Sequence, residues 1–233
     1  MKLLLLLSIT SLPLYAQTWI HQGPPAQIIE LFTSEGCSSC PPADEFLSEL
    51  NDSNALWEDV IPVAFHVDYW DYLGWQDPYA QPSFTLRQQL YRKYGVVNSV
   101  YTPSFVVDGQ EWRGFFNWLD RELPDTPSVS AKPLVMSLHN NEVTVEFAET
   151  GTFDLTLLLI ANERISYVKA GENKGKELKH NFVVLEQHQQ RSNDSSWSLE
   201  LTNNEFDTIA AWVTTTSSFK PVQTVAGNVS KEQ

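Results

Sequence analysis

The hydrophobic period changes once along this chain, at a proline-rich stretch running from Leu123 to Pro133 (LPDTPSVSAKP). Before it, short apolar runs alternate with segments of helical period. Gln27 to Thr33 and Ile61 to Val67 read as buried strands, and Ser104 to Val107, followed by Asp108-Gly109, as a strand with a tight turn. Ala43 to Leu56 and Phe84 to Tyr94 read as helices, the second stopped by Gly95, and Phe115 to Leu123 as a closing helix. Beyond the stretch the period is two. Leu134 to His139, Glu142 to Phe147, Phe153 to Ala161, Asn181 to His188, Trp197 to Leu201, Thr208 to Thr214 and Pro221 to Val225 read as strands. The expectation is an α/β domain over 17–125, a linker over 126–132 and an all-β, sandwich-like domain over 133–233.

The first 16 residues predict an export signal. Lys2 gives the positive end, Leu3 to Leu7 with Ile9 the apolar centre, and Leu14-Tyr15-Ala16 a cleavage point before Gln17. The run is too short to span a bilayer, which takes about 20 residues. The expected location is therefore periplasmic or secreted, where disulfides persist. The net charge of −14 argues against a nucleic-acid partner, because phosphate binding requires clustered Lys and Arg.

Only two cysteines are present, Cys37 and Cys40, in Cys37-Ser38-Ser39-Cys40. The motif follows a predicted strand and opens a predicted helix. Unpaired N–H groups at a helix start favour a thiolate, which is the reactive form of cysteine. Cys37, nearer the exposed loop, is the expected nucleophile, and Cys40 the thiol that resolves the mixed disulfide. Two other readings stay open. One is a structural disulfide, although a loop this short contributes only about 2 kcal/mol in the chain-entropy model. The other is half of a copper or zinc site completed by His66.

Tyr101 to Gly109 (YTPSFVVDG) places a proline just before an apolar strand, where it cannot donate to a ladder. A cis Thr102-Pro103 bond is expected there. The order of strand, Cys-x-x-Cys, helix, strand, helix, Thr-Pro and strand resembles the thioredoxin superfamily. Four longer stretches are similar to a family of secreted bacterial proteins that share a domain of unknown function with a thioredoxin-like fold: ELFTSEGCSSCPPAD from Glu30, FHVDYWDYLGWQDPYA from Phe65, VYTPSFVVDGQ from Val100 and GENKGKEL from Gly171.

The resemblance implies a thioredoxin-like first domain, with Thr102 and Pro103 docking substrate backbone beside the cysteines. It also implies Glu30 as a buried acid that takes the proton of the resolving thiol. The chain departs from ordinary thioredoxins at Gly36, where they carry tryptophan, and at Pro41-Pro42, which moves the helix start towards Cys40.

The segment from His66 to Asp77 combines aromatic rings with carboxylates. Strand alternation puts His66 and Asp68 on one face, and with Trp70 they are candidates for a substrate wall. The charges from Glu172 to Lys179 read as a solvated hairpin. The resulting expectation is an exported thiol–disulfide oxidoreductase without a cofactor, acting on a thiol- or disulfide-containing exported protein or a small thiol. Its alternatives are a thiolate metal carrier and a non-enzymatic interaction protein.

Overall fold

The computed structural model describes residues 16–117, 121–126 and 128–230. Residues 1–15, and with them nearly all of the expected export signal, lie outside this range, as do residues 118–120 of the expected closing helix.

The elements in chain order are β1 (Ala16–Gly23), β2 (Gln27–Thr33), α1 (Pro41–Ser48), β3 (Val60–His66), α2 (Pro82–Lys93), β4 (Ser104–Val107) and β5 (Gln110–Trp112). The second half adds β6 (Ala131–His139), β7 (Glu142–Phe147), β8 (Phe153–Ala161), β9 (Arg164–Tyr167) and β10 (Glu177–His180). It ends with β11 (Val183–Ser192), β12 (Ser196–Glu200), β13 (Thr208–Thr215) and β14 (Pro221–Asn228). Where a closing helix was expected there is a short 3-10 turn, Gly114–Phe116.

The expected fold class, an α/β thioredoxin-like domain followed by an all-β sandwich-like domain, is overturned by the sheet topology. The described residues are mostly strand, with two α-helices, and one mixed eight-stranded sheet runs β14-β13-β8-β11-β3-β2-β4-β5 through both halves of the chain. The join is the start of β11. Val183 pairs in parallel with Ala64 of β3, and the Ala64 N–H donates to the Phe182 carbonyl at 2.8 Å. The far edge of β3 is thus hydrogen-bonded to a strand that sequence periodicity assigned to a separate unit. At the other end of the chain, β1 pairs antiparallel with β6 in a four-stranded sheet, β1-β6-β7-β12.

Two apolar cores follow from this layout. One gathers Ile29, Leu31, Phe32, Phe65, Phe84 and Phe105 with Leu158, Ile160 and Trp212 from the second half. The other lies between the four-stranded sheet and the β8, β13 and β14 strands, and contains Leu134, Met136, Val145, Leu157, Trp197 and Val213. Buried side chains of this size each contribute about 1.5–3 kcal/mol of transfer free energy. The first core therefore spans the seam between the halves. Among the described residues no helix is long and apolar enough to cross a membrane.

Candidate functional site: a covered Cys-x-x-Cys loop

The strand β2 is buried along its whole length and ends at Thr33. The chain then turns through Ser34-Glu35-Gly36, with the Cys37 N–H donating to the Ser34 carbonyl at 3.1 Å. The Cys40 N–H donates to the Cys37 carbonyl at 3.2 Å, and Cys40 is the N-cap of α1. Prolines at the first two helical positions fix the helix start at Pro41, since neither needs an N–H partner there. Cys37 therefore sits outside the helix, one loop before its positive end. The two cysteines form a disulfide with Cα atoms 5.5 Å apart.

Their exposure differs from the sequence expectation. Cys37 is 1% exposed and Cys40 0%, so both are buried and Cys37 is not open to solvent. Ser38 and Ser39, between them, are exposed. The Ser39 hydroxyl lies 3.4 Å from the Cys37 sulfur and can donate to a thiolate there.

The backbone of the cysteine loop is held by residues far away in sequence. Glu172 accepts the Ser38 N–H at 2.9 Å. Asn173, fully buried, donates its side-chain amide to the carbonyls of Glu35, at 2.9 Å, and Cys37, at 2.8 Å. Both belong to the turn between β9 and β10. The expected solvated hairpin is a hairpin, and Lys174, Lys176 and Lys179 are exposed on it, but its tip is docked on the cysteine loop.

On a second side stands Trp70. An added Cβ on Gly36 would meet the Trp70 Cβ at 2.8 Å, so the loop lies against this residue only because position 36 has no side chain. The Trp70 indole donates to the Thr102 hydroxyl at 2.7 Å. The Thr102-Pro103 bond is cis. β4 follows directly, with Ser104 opposite Phe32 on β2, so Thr102 and Pro103 lie level with the end of β2, where the cysteine loop begins. Gln88 of α2 holds this stretch by donating to the Tyr101 carbonyl at 2.7 Å and to the Ser104 hydroxyl at 2.8 Å.

Below the loop lies a buried polar cluster that sequence reasoning did not assemble. His66 and Asp77 form a pair at 2.7 Å, and the Glu35 N–H donates to the same Asp77 oxygen at 2.8 Å. His180 of β10 packs edge-on against His66, with ring centroids 4.9 Å apart, and contacts Glu35 at 3.2 Å. Asp44 of α1 accepts from Thr33 at 3.1 Å, and Trp75 donates to Glu35 at 2.6 Å.

Burial works against charge on His66, but Asp77, Asp44 and Glu35 together outweigh it, and the imidazole's pKa is raised. Burial likewise pushes Asp77 up, yet the charge of His66 and the N–H donors of Glu35 and Tyr79 leave it below the usual carboxylate value. At Asp44 burial prevails over His180 and His66, so its pKa is raised. Asp44, Glu172 and Asn173 all fall within stretches singled out in the sequence. What was missing is the long-range pairing that brings them to one place.

The remaining sequence candidates are dispersed. Glu30 points to the other face of β2 from Thr33 and is bound by Arg87 at 2.7 and 3.0 Å and by the Tyr91 hydroxyl at 2.5 Å. The structure brings it to α2, not to Cys40. Asp68 does not share a partner with His66; it accepts from Thr85 at 2.5 Å. His66 has its Nδ1 committed to Asp77, and among the described residues no three His, Cys, Asp or Glu side chains gather in an arrangement that could hold a metal ion. A cleft of about 760 Å³ lies elsewhere, between α2 and the β8–β13 strands, and includes Arg87, Trp212 and Phe219. Its buried cation is already paired with Glu30, and neither cysteine lines it, so the chemistry favours the cysteine site.

The fold and site define a mostly β protein with a single Cys-x-x-Cys disulfide between a buried strand and a short helix, covered by a hairpin from its second half. The chain belongs to the family described as "Protein of unknown function (DUF1223)", whose model matches residues 28–214. A crystal structure of a protein from Agrobacterium tumefaciens is similar at 25% identity, over 91% of this chain and 98% of that one, with a TM-score of 0.62. HBP35 of Porphyromonas gingivalis is similar in fold at 13% identity, over 91% of this chain and 80% of that one, with a TM-score of 0.57. No curated protein matches the chain significantly.

Proposed function

We propose that the chain is an exported thiol–disulfide oxidoreductase working through Cys37 and Cys40. The observation that carries this reading is the position of the disulfide. The chain's two cysteines close a four-residue loop between the end of β2 and the N-cap of α1, level with Thr102 and Pro103 on the neighbouring β4. The likeness to the thioredoxin superfamily that supports it is local, confined to this loop and the Thr-Pro step beside it.

Cys37 is the attacking thiolate in this reading, because the Ser39 hydroxyl adjoins its sulfur. Cys40, at the buried helix start, resolves. Thr102, Pro103 and Trp70 form the wall against which a partner's backbone lies. The partner is a thiol- or disulfide-containing exported protein or a small thiol. Export, to the periplasm or beyond, is supported by the pattern from Lys2 to Ala16 and by a disulfide that an oxidising compartment preserves.

The burial of both sulfurs favours one rival, a purely structural disulfide. Equilibration with glutathione buffers, followed by alkylation and mass analysis, separates the two. The oxidoreductase reading expects reversible exchange within the glutathione range. A bond that stays oxidised until potentials below about −300 mV is structural.

A further inference from the structure

Both cysteines are buried while the two serines between them are exposed, and the backbone of this loop is held from outside it. The element that holds it is the tip of the β9–β10 hairpin. Glu172 holds the Ser38 N–H, and Asn173 holds the Glu35 and Cys37 carbonyls while its own oxygen accepts from Lys176 at 2.9 Å.

The tip is built as a separate piece. β9 and β10 pair only with each other and join neither larger sheet. Gly171 and Gly175, at φ +75° and +84°, bracket the three residues between them, and the Gly175 N–H donates to the Val168 carbonyl at 2.8 Å. The base of the hairpin is anchored by Leu178 and His180, which are buried, whereas Ile165 and Tyr167 on the partner strand are exposed. A two-stranded ribbon of this size has little stability of its own. Its tip is held by the polar contacts of Glu172 and Asn173 and by packing of Gly171 beside Leu73 and Trp75, and a segment joined to neither larger sheet opens at a fraction of the cost of global unfolding.

We propose that the tip from Glu172 to Lys176 is a cap on the Cys37–Cys40 disulfide, that Asn173 is its latch, and that a thiol partner reaches Cys37 only when the cap lifts. The functional meaning of the cap rests on the oxidoreductase reading. Its physical test does not. When the cap is open, an incoming thiolate attacks the Cys37 sulfur, a new S–S bond forms, and the Cys40 sulfur leaves as a thiolate with the bonding electron pair. The second thiol of a dithiol reductant then displaces Cys37, leaving two reduced cysteines and a cyclic oxidised reductant.

The experiment is the rate at which dithiothreitol reduces the disulfide in the full, folded, oxidised chain, read by quenched alkylation. The cap predicts that Asn173→Ala, which removes two hydrogen bonds to buried carbonyls, speeds reduction on the order of tenfold. Glu172→Gln, which keeps an acceptor for Ser38 but removes its charge, gives a smaller increase. A rate equal to that of the wild type in a folded Asn173→Ala variant overturns the proposal.

Should that variant fold poorly, hydrogen exchange on the wild type decides. The cap requires the Ser38 amide and the tip amides to exchange together, far faster than the β2 and β3 amides. A Ser38 amide that exchanges only with the β2 core contradicts it. Dithiothreitol reduces an accessible disulfide whether or not the protein is an enzyme. Loss of catalysed exchange with an intact cap effect would therefore count against the oxidoreductase reading alone.

Discussion

Replacing Glu30 by glutamine separates a structural carboxylate from a proton carrier. Glu30 is 2% exposed and receives two hydrogen bonds from Arg87 and one from Tyr91. The Arg87 guanidinium also lies over the rings of Phe65, Tyr91 and Trp212, at 5.1, 5.1 and 5.5 Å. The Glu30→Gln substitution would leave this cation buried without its counter-charge and turn an amide donor towards it. Removing one partner of a buried pair costs about 3–5 kcal/mol. For a chain of this size each kcal/mol moves the melting temperature by about 2–4 °C, so a fall of about 10 °C is expected. The double variant Glu30→Gln/Arg87→Met, which removes both charges and keeps an apolar chain under the rings, should recover most of the loss. Thermal melts measure the stability, and dithiothreitol reduction of the folded variants measures the thiol chemistry, which should stay at the wild-type rate. A Glu30→Gln variant with wild-type stability and strongly slowed exchange would refute this and restore the sequence-based role of proton acceptor.

The His66–Asp77 pair predicts a pH signature. The raised pKa of His66 contributes stability that is complete below its unfolded value of 6.5 and is lost as pH rises through the folded value. The lowered pKa of Asp77 contributes stability above its unfolded value of 3.8, lost as pH falls through the folded value. The stability gap between wild type and Asp77→Asn should therefore be widest between these two limits and narrow on the alkaline side; urea titrations across pH that show a gap widening above neutrality contradict it. Titration of the reduced protein with zinc or Cu(I) should give weak binding indifferent to His66→Ala, because the imidazole faces Asp77. A tight one-to-one complex lost in that variant would establish the metal-carrier alternative.

Local elements are readable wherever pattern and punctuation agree. β2, β7 and β8 have the bounds their apolar periods and flanking turns imply. What the pattern does not contain is the identity of a strand's neighbour. β11 reads as an ordinary strand, and nothing in VVLEQHQQRS says that its first residue will pair with Ala64. β1 escapes sequence reading because it alternates between exposed and half-buried positions and follows the export-like segment. The same limit applies at the site. Both cysteines, Thr102 and Trp70 are legible in the sequence, but Asn173 acts on a loop 136 positions away. Its only advance signal is its place in the GENKGKEL stretch. Glu30 shows the converse: its strand is where the apolar run puts it, yet side-chain alternation turns the carboxylate to Arg87 and Tyr91 of α2.

In the proposed function Cys37 exchanges disulfides with a partner and Cys40 resolves them. Its most direct measurement is the mixed disulfide captured by Cys40→Ser in an oxidising, exported setting, resolved on non-reducing gels and by mass, with Cys37→Ser alongside. Adducts on Cys37 are expected in Cys40→Ser, either protein-sized or of a small thiol, that collapse on reduction and are absent from Cys37→Ser. Equal adducts in both variants, or none in Cys40→Ser, would contradict it.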